Sequence, residues 1–184
     1  MNVDDKENEY KSETDIAIET VSEMISQRGY SITESDDDRI IATNTYGDQI
    51  VVFAQPIIKF NVDRIKECIS ILDKIKQKHC IVIYTDSVTA PTKKLVKNSV
   101  DIKIEIFTQA ELQYNITKHR LVPKHERLPS KEAKEFKKTF GVKFAALLIT
   151  DPITRFYNYQ RGDVIKITRV SDRGVYITYR IVKG

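Results

Sequence analysis

Carboxylates that could bind metal ions for phosphodiester hydrolysis are the sharpest catalytic signal in this sequence. Asp48 opens an apolar run of the kind that carries a metal-binding acid in small α/β nucleases. The positions where a second acid and a lysine should follow read Val52-Phe53-Ala54-Gln55. Metal-dependent phosphodiester cleavage needs convergent carboxylates, so a degenerate nuclease remains only as an alternative. A second row, Asp101-x-Lys103-x-Glu105, is expected to be a solvated or edge-protecting strand face.

The histidines and cysteines do not have the spacing of a metal-ligand set. Of His79, His119 and His125, the last two are six residues apart and flank a proline. We expect both of these imidazoles to bond to backbone groups at a turn, because no cysteine lies near them. Cys68 and Cys80 indicate a reducing, intracellular compartment. With six scattered glycines the chain also lacks a phosphate-binding loop, so we expect no catalytic residue, no metal and no cofactor.

Charge divides the chain near residue 115. Residues 1–114 carry 14 Lys and Arg against 20 Asp and Glu, a net charge of −6, whereas residues 115–184 carry 16 against 6, a net charge of +10. This asymmetry supports two domains with those bounds. Taken alone, the basic half favours binding to nucleic-acid phosphates. No apolar run reaches the roughly 18 residues that span a bilayer, so no membrane partner is expected.

The first domain has the pattern of a small α/β sheet. After a segment over 1–12 that we expect to be frayed, the sequence predicts a helix over 13–27 and a hairpin over 39–43 and 49–54. A long helix follows, capped by Asn61, with a buried stripe of Val62, Ile65, Ile69, Leu72 and Ile75. The remaining predicted elements are a strand over 80–84, a helix over 91–98 and a strand over 100–107. Strands that alternate with helices in this way predict a sheet with helices on its faces.

The second domain is predicted to be a compact α+β unit that ends in a β-hairpin. Ser130–Phe140 has helical periodicity, with Ser130 as N-cap and Gly141 as stop. Its expected inner stripe is Ala133, Phe136 and Phe140. Asp151-Pro152 begins a short aromatic turn, and residues 165–181 alternate as two strands around a turn at 171–174. Two half-buried strands cannot bury both faces unaided, so the unit needs another domain or a partner chain.

The second domain also carries a long ordered set of residues typical of one family. The set is Asp151-Pro152, Arg155, Arg161-Gly162-Asp163-Val164-Ile165-Lys166-Ile167, Arg169, Ser171, Gly174 and Tyr176-x-x-Tyr179-Arg180-Ile181-Val182, with His119-Arg120-Leu121-Val122-Pro123-Lys124-His125 upstream. With these residues the chain resembles the C-terminal domain of the fifth-largest, shared subunit of eukaryotic RNA polymerases and its archaeal counterpart. The resemblance is strong over residues 107–184, is limited to element order over 49–106, and is faint before that.

This resemblance implies a non-catalytic subunit of a multi-subunit DNA-directed RNA polymerase. In the family, the C-terminal assembly domain docks on the largest subunit, and the N-terminal domain forms part of the lower jaw beside downstream DNA. The expected partners are therefore the largest and other polymerase subunits, with non-specific contact to downstream duplex DNA. The residues expected to dock are His119, Pro123, His125, Asp151, Pro152, Arg155, Arg161, Gly162, Arg169, Tyr176, Tyr179 and Arg180.

A proline-containing loop in the first domain resembles the family loop that follows the central strand. The residues expected to approach the DNA backbone are Pro91, Thr92, Lys93, Lys94 and Lys97. Such contacts would be independent of sequence and sensitive to salt. An ordinary helix-capping turn is the alternative for this loop. For the whole chain, the alternative from another class is a stand-alone basic nucleic-acid-binding protein.

The chain departs from the family in two places. Its N-terminal domain is shorter than in eukaryotic members, and Phe144-Ala145-Ala146-Leu147 stands where the family has a Leu-Pro-basic-Ile segment. A shortened and divergent chain is compatible with a subunit encoded by a large DNA virus. We expect localisation in the nucleus for a cellular protein, and in the host cytoplasm and virion for a virus-encoded one.

Overall fold

The chain divides into two compact units, which are described separately. The computed structural model describes residues 11–141 and 143–184. Unit 1 spans Met1–Tyr114 and unit 2 spans Asn115–Gly184. Each unit has its own sheet, of five and four strands respectively. The predicted α/β fold class is confirmed, and no helix within the described ranges is long and apolar enough to cross a membrane.

Unit 1 is a five-stranded mixed sheet with helices between its parallel strands. Its elements are α1 (Glu13–Gln27), β1 (Tyr30–Ser35), β2 (Arg39–Asn44), β3 (Gln49–Phe60), α2 (Val62–Lys74), β4 (His79–Val88), α3 (Ala90–Asn98) and β5 (Lys103–Thr108). The strands lie in the order β1-β2-β3-β4-β5. The first three pair antiparallel and the last three pair parallel, as the predicted alternation of strands and helices requires.

Strand β1 is not among the elements predicted from the sequence. Five of its six residues are exposed, so it lacks the apolar alternation that identifies a strand in a sequence. It forms because its backbone pairs with β2, from Tyr30 opposite Asn44 to Ser35 opposite Ile40. The Thr33 hydroxyl adds a side-chain bond to this ladder, because it donates to the Ile41 carbonyl oxygen at 3.1 Å.

Side-chain caps fix the starts of the helices in unit 1. Ser12 accepts a hydrogen bond from the Asp15 N–H, and the Asp15 carboxylate accepts one from the Ser12 N–H, which makes a capping box for α1. The predicted fraying of residues 1–12 is therefore wrong for Ser12, and residues 1–10 lie outside the described residues. Asn61 caps α2 as predicted, and its side chain accepts from the Arg64 N–H at 3.0 Å.

Helix α2 closes the core on one face of the sheet. It buries Ile65, Cys68 and Leu72, whereas Val62, Ile69 and Ile75 of the predicted stripe are only half-buried. Burial raises the pKa of the Cys68 thiol to about 11. It also raises the pKa of Cys80, which lies in the same core. Both thiols therefore stay protonated and unreactive at neutral pH.

A buried ion network joins α1 to β5 and corrects one prediction. The Arg28 guanidinium donates to both oxygens of the Glu105 carboxylate at 2.9 Å. His79 Nε2 lies 2.7 Å from Glu105 Oε1. The side chains of Arg28 and Glu105 are only 4% and 12% exposed, so Glu105 is not part of a solvated row. Lys103, two residues earlier on the strand, is exposed as predicted.

Unit 2 is a four-stranded sheet with a helix and a short aromatic turn. Its elements are β6 (Lys124–Arg127), α4 (Ser130–Phe140), β7 (Ala146–Leu148), α5 (Pro152–Phe156), β8 (Val164–Ser171) and β9 (Gly174–Lys183). The strand order is β6-β8-β9-β7, with β7 parallel to β9 and the other neighbours antiparallel. The predicted hairpin is confirmed, with Ser171 opposite Gly174.

Helix α4 has its predicted bounds but differs from its prediction in its N-cap and in its inner stripe. Its N-cap residue is Pro129, which makes no side-chain cap bond, and Ser130 is the first helical residue. Gly141 ends the helix as predicted, with a φ of 76° that favours glycine. Phe140 is 61% exposed, so the inner stripe reduces to the half-buried Ala133 and Phe136.

The β8–β9 hairpin has apolar side chains on both faces. Its register places Ile165 opposite Arg180 and Lys166 opposite Tyr179, and directly opposed residues share a face. We call the face that carries Ile165 and Ile167 the inner face, since both join the core of unit 2. The outer face carries Val170, Val175, Ile177 and Tyr179. Of these four, Tyr179 is covered by Phe136 of α4, with ring centroids 4.9 Å apart.

The ion network predicts a strong dependence of stability on Glu105. Glu105→Gln should lower the free energy of unfolding by about 3 kcal/mol, because it leaves the Arg28 guanidinium buried without a carboxylate. Urea unfolding followed by circular dichroism measures this change. Glu67→Gln is the matched control, since Glu67 pairs with Arg64 where both side chains are more than half exposed. Equal losses of unfolding free energy in the two variants would contradict the conclusion that the Arg28–Glu105 pair is buried.

The wild type and Glu105→Gln also test the pH dependence. Burial by itself would raise the pKa of the Glu105 carboxyl, but the His79 bond and the Arg28 charge hold it below the ordinary 4.5. A depressed carboxyl pKa stabilises the fold above the unfolded-state value. The stability difference between the two proteins should thus be complete above about pH 4.5 and shrink as the pH falls through the folded pKa. A difference that is constant from pH 7 to pH 3 would rule this out.

Candidate functional site

The Asp151-Pro152 segment forms the base of the candidate docking site in unit 2. Asp151 Oδ1 accepts the Ile153 N–H at 2.8 Å and caps α5, while Pro152 occupies the first turn. Arg155 lies in the last turn of this helix. Gly162, with a φ of 90°, then turns the chain into β8. The segment is therefore fixed at both ends by local chemistry.

The two histidines of the predicted set bond to backbone groups. His125 Nδ1 lies 2.7 Å from the Pro123 carbonyl oxygen, and the Tyr159 hydroxyl donates to the His125 carbonyl oxygen at 3.1 Å. His119 Nδ1 accepts the Leu121 N–H at 3.2 Å. Both imidazoles therefore bond to backbone at turns, as expected from the sequence. His119 is exposed and His125 is half-buried.

Three charged side chains act on His125. Burial lowers the pKa of His125, the Pro123 bond and the Asp151 charge oppose this, and the charges of Arg169 and Arg180 lower it further. Arg169 lies opposite Tyr176 in the hairpin, and Arg180 shares their face. The structure thus brings docking candidates from β6, the α5 cap and the hairpin to the inner-face side of the sheet.

Other docking candidates lie apart from that group. Arg161 is exposed in the turn before β8. Tyr179 is on the outer face, where Phe136 packs against it. Arg180 does belong to the group around His125; it is exposed, and its guanidinium also donates to the Ala146 carbonyl oxygen at 2.9 Å and so helps to hold β7. The predicted docking set therefore does not form one continuous patch.

The hairpin extends beyond the sheet that supports it. Strand β6 pairs with β8 only as far as Thr168, and β7 pairs with β9 only from Ile181 onward. We call residues 169–180 the hairpin arm. Its apolar side chains are in water: Val170 is 81% exposed, Val175 64% and Ile177 48%. Tyr176 is 50% exposed on the other face.

The predicted site omitted these outer-face side chains. Val170, Val175 and Ile177 alternate with polar neighbours. This alternation is typical of a half-buried strand, so the sequence did not indicate that these side chains are exposed. One feature of the sequence could have indicated their exposure: no predicted helix or strand was left to cover this face of the hairpin. Phe140, 61% exposed at the end of α4, is a further apolar side chain that the prediction placed inside.

Helix α3 carries the residues predicted to approach DNA. Thr89 caps it, and Pro91 lies in its first turn. Lys93, Lys94 and Lys97 belong to the same helix, and Lys93 and Lys94 are exposed, but Thr92 is fully buried. The Thr92 hydroxyl bonds to that of Thr89 at 2.6 Å, so this residue supports the cap and cannot reach a ligand. The candidate DNA-facing surface is thereby reduced to three lysines and a proline.

Unit 2 offers a second basic surface. Lys131, Lys134 and Lys138 are exposed on α4. Two acids of the unit are engaged in ion pairs, Glu126 with Lys124 at 2.7 Å and Asp163 with Arg127 at 3.5 Å. This helix is where a stand-alone nucleic-acid-binding protein would present its charge.

Metal-dependent catalysis would need Asp48 or other potential ligands to be grouped around an ion, within the residues that the structure describes. Across residues 11–141 and 143–184, no three His, Cys, Asp or Glu side chains are grouped so that they could hold a metal ion. Asp48, the candidate nuclease acid, accepts a hydrogen bond from the Asn44 side chain at 2.9 Å in the β2–β3 turn. It therefore has a structural partner in that turn.

Comparison with known proteins gives consistent results for both units. The family model for the C-terminal domain of RNA polymerase Rpb5 matches residues 114–182. A protein of Invertebrate iridescent virus 6, described as a DNA-directed RNA polymerase subunit (454R), is 35% identical over 179 residues, covering 88% of this chain and 95% of the relative. The RNA polymerase I, II and III subunit rpabc1 of Dictyostelium discoideum is 31% identical, covering 88% and 93%.

Two further comparisons differ in weight. The DNA-directed RNA polymerase subunit 5-like protein 1 of Arabidopsis thaliana is 32% identical over 191 residues, covering 88% of this chain and 91% of the relative. A solved restriction–modification enzyme bound to DNA aligns with a TM-score of 0.38 and 15% identity over 77% of this chain and 12% of its own, a likeness that carries no argument. From its matched C-terminal unit and the relatives that share most of its length, the chain belongs to the Rpb5 family of DNA-directed RNA polymerase subunits.

Proposed function

We propose that this chain is a non-catalytic subunit of a multi-subunit DNA-directed RNA polymerase that docks on the largest subunit through unit 2. The observation that carries the proposal is the hairpin arm, which leaves apolar side chains of both strands in water. Exposed apolar groups next to arginines are typical of a protein interface. The relatives named as polymerase subunits agree with this role.

Unit 1 is proposed to form the lower jaw beside downstream DNA. Lys93, Lys94 and Lys97 of α3 support this, because clustered lysines bind phosphates without reading sequence. Such a role needs no catalytic group in this chain, since nucleotidyl transfer takes place elsewhere in a polymerase. A virus-encoded subunit would act in host cytoplasm and virion and a cellular one in the nucleus, and relatives of both origins match this chain.

The direct test is recovery of the tagged chain from its source. We expect the two largest polymerase subunits to be recovered with it at equal stoichiometry, because a docked subunit is a fixed member of the complex. Quantitative mass spectrometry of the eluate measures the ratio, and the tag alone is the control. Recovery of the chain without polymerase subunits would refute the proposal.

Arg180→Ala should weaken incorporation into the polymerase more than it lowers the melting temperature of the free chain. The guanidinium is exposed and donates to the Ala146 carbonyl, so its loss should destabilise unit 2 by about 1 kcal/mol or less. An arginine at an interface contributes more. Co-purification and thermal melts give the two readouts, with Arg64→Ala in unit 1 as control. Equal loss in both assays would assign Arg180 a structural role only.

Replacing Lys93, Lys94 and Lys97 together by Gln should weaken the grip of the assembled polymerase on downstream duplex. In a plot of the logarithm of DNA affinity against the logarithm of salt concentration, the slope should become shallower by about 1 for each lysine that contacts a phosphate. The matched control is the triple change of Lys131, Lys134 and Lys138 to Gln on α4. If the control loses DNA and the α3 variant does not, binding of DNA by the basic unit 2 is favoured instead.

A further inference from the structure

The outer edge of β9 within the hairpin arm presents backbone groups beside which the described residues place no strand. The Ile181 N–H donates outward, to the Ala145 carbonyl oxygen at 3.0 Å, whereas the Val182 N–H donates toward the β8 side, to the Asp163 carbonyl oxygen at 2.9 Å. Backbone groups alternate in direction along an antiparallel strand. The N–H and C=O groups of Val175, Ile177 and Tyr179 therefore also point outward.

Nothing in the described part of the chain pairs with these three residues on that side. Strand β7 reaches β9 only at Ile181, and the described loop before it supplies no further strand. The six outward groups are three donors and three acceptors in a row. Unpaired edge groups of this kind are a template for another extended segment.

The side chains along the same edge indicate the chemistry of such a segment. Val175 and Ile177 are exposed on the outer face, so an added strand would bury them against apolar side chains of its own. On the inner face of the same strand lie Tyr176 and the exposed Arg180. Residues 164–183 carry five basic side chains and one acidic one, so the hairpin has a net positive charge.

A second copy of this chain is a poor occupant for that edge. Pairing β9 with its own copy would bring two basic hairpins together, and like charges on adjacent strands repel. An acidic segment would be attracted instead. A two-stranded arm is also only marginally stable alone, so a third strand would stabilise it.

Building on the proposed function, we infer that an extended segment of another polymerase subunit adds to the outer edge of β9 as a further strand. This segment carries apolar side chains at every second position, which face Val175 and Ile177. At the positions between them it carries at least one carboxylate, which pairs with Arg180. Main-chain hydrogen bonds provide the affinity and the alternating side chains provide the specificity.

Ile177→Pro tests the strand addition directly. Proline removes the outward N–H of residue 177 but no bond to β8, and proline is tolerated where an edge N–H faces solvent. Incorporation of the variant into the polymerase should fall by about tenfold or more relative to wild type. Val170→Pro is the matched control. It removes an outward N–H and an exposed apolar side chain from the opposite edge of the same arm but leaves the β9 edge intact, so its incorporation should fall by a clearly smaller factor than that of Ile177→Pro.

The outcomes separate this inference from the proposed function. Failure of the wild-type chain to enter the polymerase would overturn both. If wild type is incorporated and Ile177→Pro enters equally well, or if both proline variants are lost equally, strand addition at β9 is overturned and the proposed function stands. Thermal melts of the free variants verify that each arm still folds.

Hydrogen exchange on the unaltered protein gives a second measurement. The amides of Val175, Ile177 and Tyr179 should exchange at least about tenfold more slowly in the assembled polymerase than in the free chain, because each gains a main-chain partner. Those of Tyr176 and Thr178 are directed toward β8 and should change less. Unchanged exchange at the three outward amides would overturn the inference even if a proline variant failed to fold.

Discussion

The antiparallel ladder between β8 and β9 is longer than the sheet that flanks it, and the behaviour of unit 2 depends on this mismatch. Where β6 and β7 flank the ladder, Ile165 and Val182 are fully buried. Beyond them, Val170, Val175 and Ile177 on the outer face of the arm remain in water. Burying one Val or Ile side chain is worth about 1.5–3 kcal/mol. Burial of the exposed Val170, Val175 and Ile177 would therefore add several kcal/mol to the stability of the arm.

The base of the arm is built to be rigid. Asp151 caps α5, the Tyr159 hydroxyl bonds to the His125 carbonyl, and Tyr157 stacks on Tyr159 with ring centroids 5.2 Å apart. A surface presented from a rigid base loses little conformational entropy when it binds. In the proposed complex, the docking candidates around His125 and the exposed arm thus act as parts of one prepared interface.

Unit 1 differs from unit 2, because the contacts that stabilise it are buried within the unit. The network of Arg28, Glu105 and His79 fixes the end of α1 to β5, and α2 closes the core beside it. Its candidate ligand surface is confined to lysines on α3, which a solvated helix can carry without strain. The proposed role as a jaw beside DNA would need charge at the surface to meet phosphates and a stable core behind it, and unit 1 has exposed lysines and a buried core.

Local chemistry let the sequence alone determine much of this protein. The Asn61 and Asp151 caps and the turn at 171–174 each act within a few positions along the chain, and the ordered residues of the family set are read directly from the sequence. The buried role of Glu105 could not be read in this way, since its partner Arg28 lies 77 positions away. The exposure of the outer face of the hairpin, the pairing of the polar strand β1 and the burial of Thr92 also could not be predicted from local sequence. Strand register and burial arise from contacts between distant segments, and only the tertiary structure decides which of them meet.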